Sequence, residues 1–299
     1  MDKYYDFSNC KKSRKQFGGS DKKESVFLDK DRYMLKFPDR IDDDKRNDFN
    51  GIYRNNVHSE YISCHIINAL GYMAQETLLG RYKGKEVVAC KDFCKDGYEL
   101  NEFEKYKSSF SIDFENTRYP EIYDVVRALS EDKENVGIDP DISLAQFWDI
   151  FMLDVLLGNF DRHTGNWGYL YNDEREEVRL APIYDCGACL YPMLNDSGME
   201  KVINDEKLIL ARVYDYPKPA FEMNGERLTY NGFLESDYAK KDSRVTEAIS
   251  KLKERYDKKI IEEVIGDTPN LSEIRSEFYV KMIDERMKRL IMREKYLEN

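Results

Sequence analysis

Two short stretches hold most of the residues that could do chemistry: Leu157-Gly158-Asn159-Phe160-Asp161-Arg162-His163-Thr164-Gly165-Asn166, and Ala181-Pro182-Ile183-Tyr184-Asp185-Cys186-Gly187. Together they spell Asp-x4-Asn followed by Asp-x-Gly at the end of a strand-like run. One carboxylate in such a set can accept the proton of an attacking hydroxyl. The asparagine and the second carboxylate can hold Mg²⁺ against nucleotide phosphates. Asn, Asp and Gly are also common turn residues, so these stretches alone leave a plain surface turn open.

The elements that would position these residues are legible in the periodicity. Residues 13–37 read as strand, loop, strand, with Gly18, Gly19, Ser20 and Lys23 in the loop. Glycines let backbone approach a phosphate, and lysine supplies charge to it. Asp29-Lys30-Asp31 joins the strands, and Lys36 sits in an otherwise apolar strand end, either snorkelling or held inward by an anion. Residues 39–56 read as a charged loop. A helix is predicted over 58–70 from Ile62, Ile66, Ile67 and Leu70, with Glu60 in its first turn, where the helix dipole alone would favour it. A second hairpin, 75–79 with 85–93, turns at Tyr82-Lys83-Gly84 and ends in Lys91-Asp92-Phe93. Helices follow at 119–130 and 143–157, the latter leading straight into Asp161. A strand over 178–184 delivers Asp185. Asn224-Gly225 marks a tight hairpin. Two long helices, 244–265 and 272–297, close the chain.

The 299 residues are 35% charged and 41% apolar with a formal net charge of −11. That balance suits a globular protein and argues against gripping a nucleic-acid backbone. No apolar run is long enough to span a membrane, and the N-terminus has no signal-peptide core. Six cysteines in so long a chain do not suggest a disulfide framework, which points to a reducing, cytoplasmic setting. Cys186-Gly-Ala-Cys189 reads either as half a zinc site or redox pair, or as small packing residues; it has no second CxxC or His pair nearby.

Taken singly these features are common, but glycine loop, strand lysine, helix glutamate, second hairpin, Asp-x4-Asn and Asp-x-Gly appear in one particular order. In that order, and in Phe17-Gly18-Gly19, Tyr33-Met34-Leu35-Lys36-Phe37-Pro38, Gln75-Glu76-Thr77-Leu78-Leu79-Gly80, Val87-Val88-Ala89-Cys90-Lys91-Asp92-Phe93 and the two central stretches, the chain resembles the HipA-like kinases. It is most similar to that family's short form, over about residues 15–290. The resemblance implies an α+β, bilobal protein-kinase-like fold, with a β-rich N-lobe over 1–95 and a helical C-lobe over 96–299. It implies transfer from MgATP to Ser/Thr of a protein substrate, and autophosphorylation. By the same resemblance Asp161 is the base, Asn166 and Asp185 hold Mg²⁺, and Lys36 holds the α/β-phosphates braced by Glu60. Gly18, Gly19, Ser20 and Lys23 form the phosphate loop, and Lys91, Asp92 and Phe93 line the adenine. Two departures stand out: the longer toxins' N-terminal subdomain is missing, and Gln16 stands where they carry a self-phosphorylated serine. Ser13, Ser20 and Ser25 are the nearby hydroxyls. A small-molecule or lipid kinase, and a nucleotide-binding pseudokinase scaffold, are the alternatives on the same fold.

Overall fold

The computed structural model describes residues 4–15, 17–18, 23–47, 51–105 and 119–293. The chain opens with β1 (Tyr5–Asp6), β2 (Lys11–Lys12), β3 (Lys23–Leu28) and β4 (Asp31–Lys36), then a 3-10 turn (Asp43–Lys45) and α1 (Asn56–Ala69). Next come β5 (Thr77–Tyr82), β6 (Lys85–Lys91) and β7 (Glu99–Glu102). Helices α2 (Ile122–Ser130), α3 (Asp132–Asn135) and α4 (Pro140–Leu157) precede β8 (Gly168–Asn172) and β9 (Glu177–Leu180). The remainder is α5 (Asp196–Ile203), α6 (Glu206–Tyr214), β10 (Glu222–Met223), β11 (Glu226–Arg227), α7 (Tyr230–Glu235) and α8 (Asp237–Lys241). It ends with α9 (Ser243–Arg255), α10 (Lys258–Gly266), α11 (Glu273–Arg286) and a π-helical turn (Met287–Met292).

These elements form two compact units built from interleaved segments. The first holds Met1–Phe93, Tyr184–Ile209 and Asp257–Asp284; the second holds Cys94–Ile183, Leu210–Tyr256 and Glu285–Asn299. The first unit centres on a six-stranded sheet of order β1-β5-β6-β4-β3-β2. Only β1 runs parallel to its neighbour, β5. Both long hairpins turn tightly. Lys83 and Gly84 take positive φ (49° and 78°), the mirror-image turn geometry that matches strand twist, and Asp29 (54°) does so between β3 and β4. One sheet face buries Phe7, Val26, Tyr33, Leu35, Val87 and Ala89 together. Because strand side chains alternate, Lys36 and Cys90 fall on the other face. There α1 packs on β5 and β6, and α10 packs on α1.

In the second unit α4 is the central element, packed by α2 and α9. Asp139 caps its first turn by accepting the Asp141 N–H, and Pro140 opens it, where no N–H is needed. Phe147, Trp148 and Phe151 on α4 stack among Phe221, Phe233 and Tyr230. Beside this core lie the three-stranded sheet β7-β8-β9 and the small β10-β11 hairpin, whose Asn224 and Gly225 both take positive φ. Among the described residues no helix is long and apolar enough to cross a membrane.

The closing helices differ from the sequence expectation. The stretch 244–265 is two helices, because Tyr256 is extended and the Asp257 carboxylate accepts the Lys259 and Ile260 N–H groups, capping a new start. The last helix gives way to the π turn after Arg286. The strand expected over 178–184 stops at Leu180, just before Pro182, which has no N–H for a ladder.

Candidate active site

In the second unit, the segment carrying Asp161 is shaped by the end of α4. That helix is apolar on nearly every side and terminates at Gly158, whose φ of 69° suits glycine; Gly158 and Asn159 both donate backbone N–H to the Asp154 carbonyl. Arg286, buried, donates to the carbonyl of Val155, one of the helix-end acceptors that would otherwise lack a partner. The chain then folds back around the buried carboxylate of Asp154. Asn159 Nδ2 donates to its Oδ1 at 2.9 Å, and Arg162 straddles it with Nε at 3.0 Å and Nη2 at 3.2 Å. The same guanidinium donates to the Asn166 carbonyl at 3.0 Å. Asp161 itself is held through its backbone: its N–H donates to Asn159 Oδ1 (3.0 Å) and its carbonyl accepts from Asn166 Nδ2 (2.8 Å). The Asp161 side chain is exposed, while its supports Asp154, Asn159, Arg162 and Asn166 are buried. The result is a carboxylate presented to solvent on a loop held by several buried hydrogen bonds.

In the first unit the sheet, α1 and the Asp-x-Gly segment meet at one cation. Lys36 Nζ lies 3.0 Å from Glu60 Oε2 and 2.8 Å from Asp185 Oδ1. Glu60 is 1% exposed and Asp185 45%, so one carboxylate is a buried brace and the other reaches solvent. Asp185 adopts a φ of 57°, a conformation sparsely used outside glycine and tolerated by Asp. Gly187 then passes so close that a Cβ there would sit 3.2 Å from Glu60 Oε2. Burial works against the Lys36 charge, but Asp185 and Glu60 outweigh it and hold its pKa well above the ordinary lysine value. Burial pushes Glu60 up to about 6, against the pull of Lys36.

The remaining sequence candidates have distinct surroundings. Lys23 donates from Nζ to the Gly18 carbonyl, whereas Gly19 and Ser20 lie outside the described residues. The Lys91 ammonium is held by Glu76 (2.7 Å) and Asp31 (3.2 Å). The Asp92 carboxylate is buried against Lys15 and Arg32, and Phe93 packs on Tyr184 with ring centroids 5.7 Å apart. Cys186 and Cys189 are buried thiols in one turn and form no disulfide, the Cys189 N–H donating to the Cys186 carbonyl. A hydrogen bond with Cys186, together with burial, drives the Cys64 thiol pKa far up. Sequence reasoning missed Asp154, Arg162 and Asn159. The available signal was a carboxylate inside the apolar run of α4, which must find a cation when buried.

Residues 16–268 match the HipA-like C-terminal domain, most of the chain. The chain belongs to that family. This HipA-like chain is 40% identical over 290 residues to the serine/threonine-protein kinase CtkA of Helicobacter pylori strain J99, covering 96% of itself and 86% of that protein. It superposes on the crystal structure of an H. pylori proinflammatory kinase CtkA with a TM-score of 0.87 at 37% identity, covering 97% and 96% of the two chains. It is also similar, at 15% identity and a TM-score of 0.55, to a chain of the Shewanella oneidensis HipA, HipB and operator DNA complex, covering 87% of itself and 58% of that chain. That last likeness concerns the fold alone. The HipA-like chain thus has the α+β kinase-like fold implied by its motifs.

Proposed function

We propose that the chain is an ATP-dependent protein serine/threonine kinase. The observation that carries this reading is the Lys36 ammonium held between Glu60 and Asp185, residues 24 and 149 positions away in sequence. A lysine so placed presents a fixed positive charge that suits nucleotide phosphates. Kinship with a protein named as a Ser/Thr kinase sets the substrate class.

Asp161 takes the proton of the attacking hydroxyl. It is suited to this because its backbone is clamped by Asn159 and Asn166 while its side chain is exposed. Asp185 and Asn166 suit a hard cation such as Mg²⁺. One offers a carboxylate and the other a carboxamide whose Nδ2 is committed to the Asp161 carbonyl, so that its oxygen serves a metal. Mg²⁺, when bound, supplies charge neutralisation of the phosphate oxygens. Gly18, Gly19, Ser20 and Lys23 contribute to the phosphate site, and residues 91–93 to the adenine site through backbone and Phe93. The protein works in the cytoplasm, where its six cysteines, none of them in a disulfide, stay reduced. Its partners are ATP and a protein, and its net charge of −11 disfavours nucleic acid. Self-modification falls to Ser13 or Ser20, since Ser25 is buried in β3.

Asp161→Asn tests the assignment. MgATP affinity by calorimetry should stay near wild type while phosphate transfer to a protein substrate, and to the chain itself, falls about 10²-fold or more. Transfer at the wild-type rate would remove Asp161 from this role. Wild-type protein that phosphorylates no protein in a proteome extract would end the protein-kinase reading.

A further inference from the structure

Asp92 sits at the end of β6 with its side chain 4% exposed. A carboxylate so buried needs positive partners. Arg32 provides one from the neighbouring strand: its Nε is 2.7 Å from Oδ2, and its carbonyl accepts the Asp92 N–H at 2.8 Å. The second comes from 77 positions away. Lys15 Nζ reaches both carboxylate oxygens, at 3.0 and 2.8 Å. Lys15 belongs to the extended segment between β2 and the glycine loop. That segment is tied to β3 at its start, where the Ser13 N–H donates to the Ser25 carbonyl at 2.8 Å. Its far end is tied by Lys15, whose ammonium also lies over the Phe17 ring at 5.2 Å. The last backbone position of β6 is itself fixed, since Gln75 Nε2 donates to the Lys91 carbonyl at 2.9 Å.

A nucleotide has a set distance between its base and its phosphates. A site for it must therefore hold the loop that takes the phosphates and the strand end that meets the base at a matching separation. Lys15 and Asp92 join the described approach to the phosphate site, which includes Phe17 and Gly18, directly to the end of β6. We propose that Lys15 is a positioning residue for ATP: through Asp92 it fixes this approach relative to residues 92–93, and it sets affinity without touching the nucleotide. Asp92, on this view, serves the adenine site as an anchor rather than as a contact. The proposal rests on the ATP-binding reading above. The size of the effect follows from the geometry. The hydrogen bonds are charge-assisted and two in number, but Lys15 is 30% exposed, so a severalfold effect is expected rather than a complete loss.

The experiment measures ATP and adenosine affinity, and KM and kcat for ATP, in wild type, Lys15→Met, Lys15→Arg, Asp92→Asn and the Lys15→Met/Asp92→Asn double variant. Lys12→Met, which removes an exposed ammonium paired with Glu24 and hydrogen-bonded to Tyr82, away from Asp92, is the control and should match wild type. Lys15→Met should weaken ATP binding and raise KM about fivefold with kcat within twofold, leave adenosine binding unchanged, and be rescued by Lys15→Arg. Asp92→Asn should weaken ATP binding similarly, and the double variant should be no worse than the more severe single one, as expected for two members of one contact. Tighter or unchanged ATP binding in Asp92→Asn would mean that Lys15 meets phosphates itself, and would overturn the proposal. So would equal losses for ATP and adenosine, which would signal general loosening of the strand end, or unchanged ATP affinity in Lys15→Met. Wild-type protein that binds no ATP at all would overturn both this inference and the reading beneath it.

Discussion

Lys36 is charged in a place where burial opposes charge, and it stays charged because two carboxylates face it. Its buried partner Glu60 is the more delicate of the pair, pushed up to about 6 by burial while Lys36 pulls it down. As pH falls through about 6, Glu60 takes up a proton and its ion pair with Lys36 is lost. Asp185 is the other charge close to Lys36, with the buried Cys90 thiol near Lys36 and the Cys186 thiol near Glu60. Activity should therefore drop on the acid side with a midpoint near 6 in kcat/KM for ATP. Glu60→Gln should lower kcat/KM at neutral pH by about 10²-fold, as expected for a misplaced phosphate-binding group, and should abolish the step near pH 6. A Glu60→Gln profile that keeps the step would assign it to another group.

At the scale of elements, α4 does two things: it fills the second unit's core and it carries the carboxylate around which the Asp161 loop folds. Arg162 is the counterpart of Asp154, and both are almost fully buried. Removing one member of such a pair strands the other. Arg162→Met should destabilise the protein by about 3 kcal/mol and lower kcat, and Arg162→Lys should restore little of either, since lysine cannot span two carboxylate oxygens and the Asn166 carbonyl together. Adding Asp154→Leu should recover stability by removing the stranded charge, but not kcat, because Asn159 loses its anchor as well. Denaturant unfolding alongside a transfer assay checks this; full kcat in Arg162→Met would show that the loop holds its shape without the pair. The sequence made α4, its end and the place of Asp161 legible, because apolar periodicity and a terminal glycine are local signals. It made the two hairpins legible through Lys83-Gly84 and Asn224-Gly225 for the same reason. The Asp154–Arg162 and Lys15–Asp92 pairs were not legible. A charged residue in sequence looks solvated until the fold shows what buries it, and short helices such as α5 to α8 leave little periodicity to read.

For the whole molecule, the main fact is that the first unit is not one stretch of chain. Residues 1–93 supply the sheet and α1, but α1 also needs α10 against it. Asn55 donates its N–H to the Pro192 carbonyl and its side chain to the Leu194 carbonyl. Tyr191 packs on Phe278, and Arg275 pairs with Asp196. The two returns, at 184–209 and 257–284, carry no composition shift that marks them in the sequence. A fragment ending at residue 95 leaves α1 without α10, at a cost of roughly 1.5–3 kcal/mol for each large apolar side chain fully uncovered. Such a fragment should show no cooperative thermal transition by circular dichroism, while the full chain should. A sharp, full-chain-like melt would mean that the sheet and α1 suffice. The same interleaving sets an order of assembly at the ribosome. Lys36 and Glu60 emerge early, Asp185 follows Lys36 by 149 positions, and α10 and α11 come later still. A chain made only as far as residue 184 therefore holds Lys36 and Glu60 without Asp185, and by the role proposed for Lys36 it should not yet take up nucleotide.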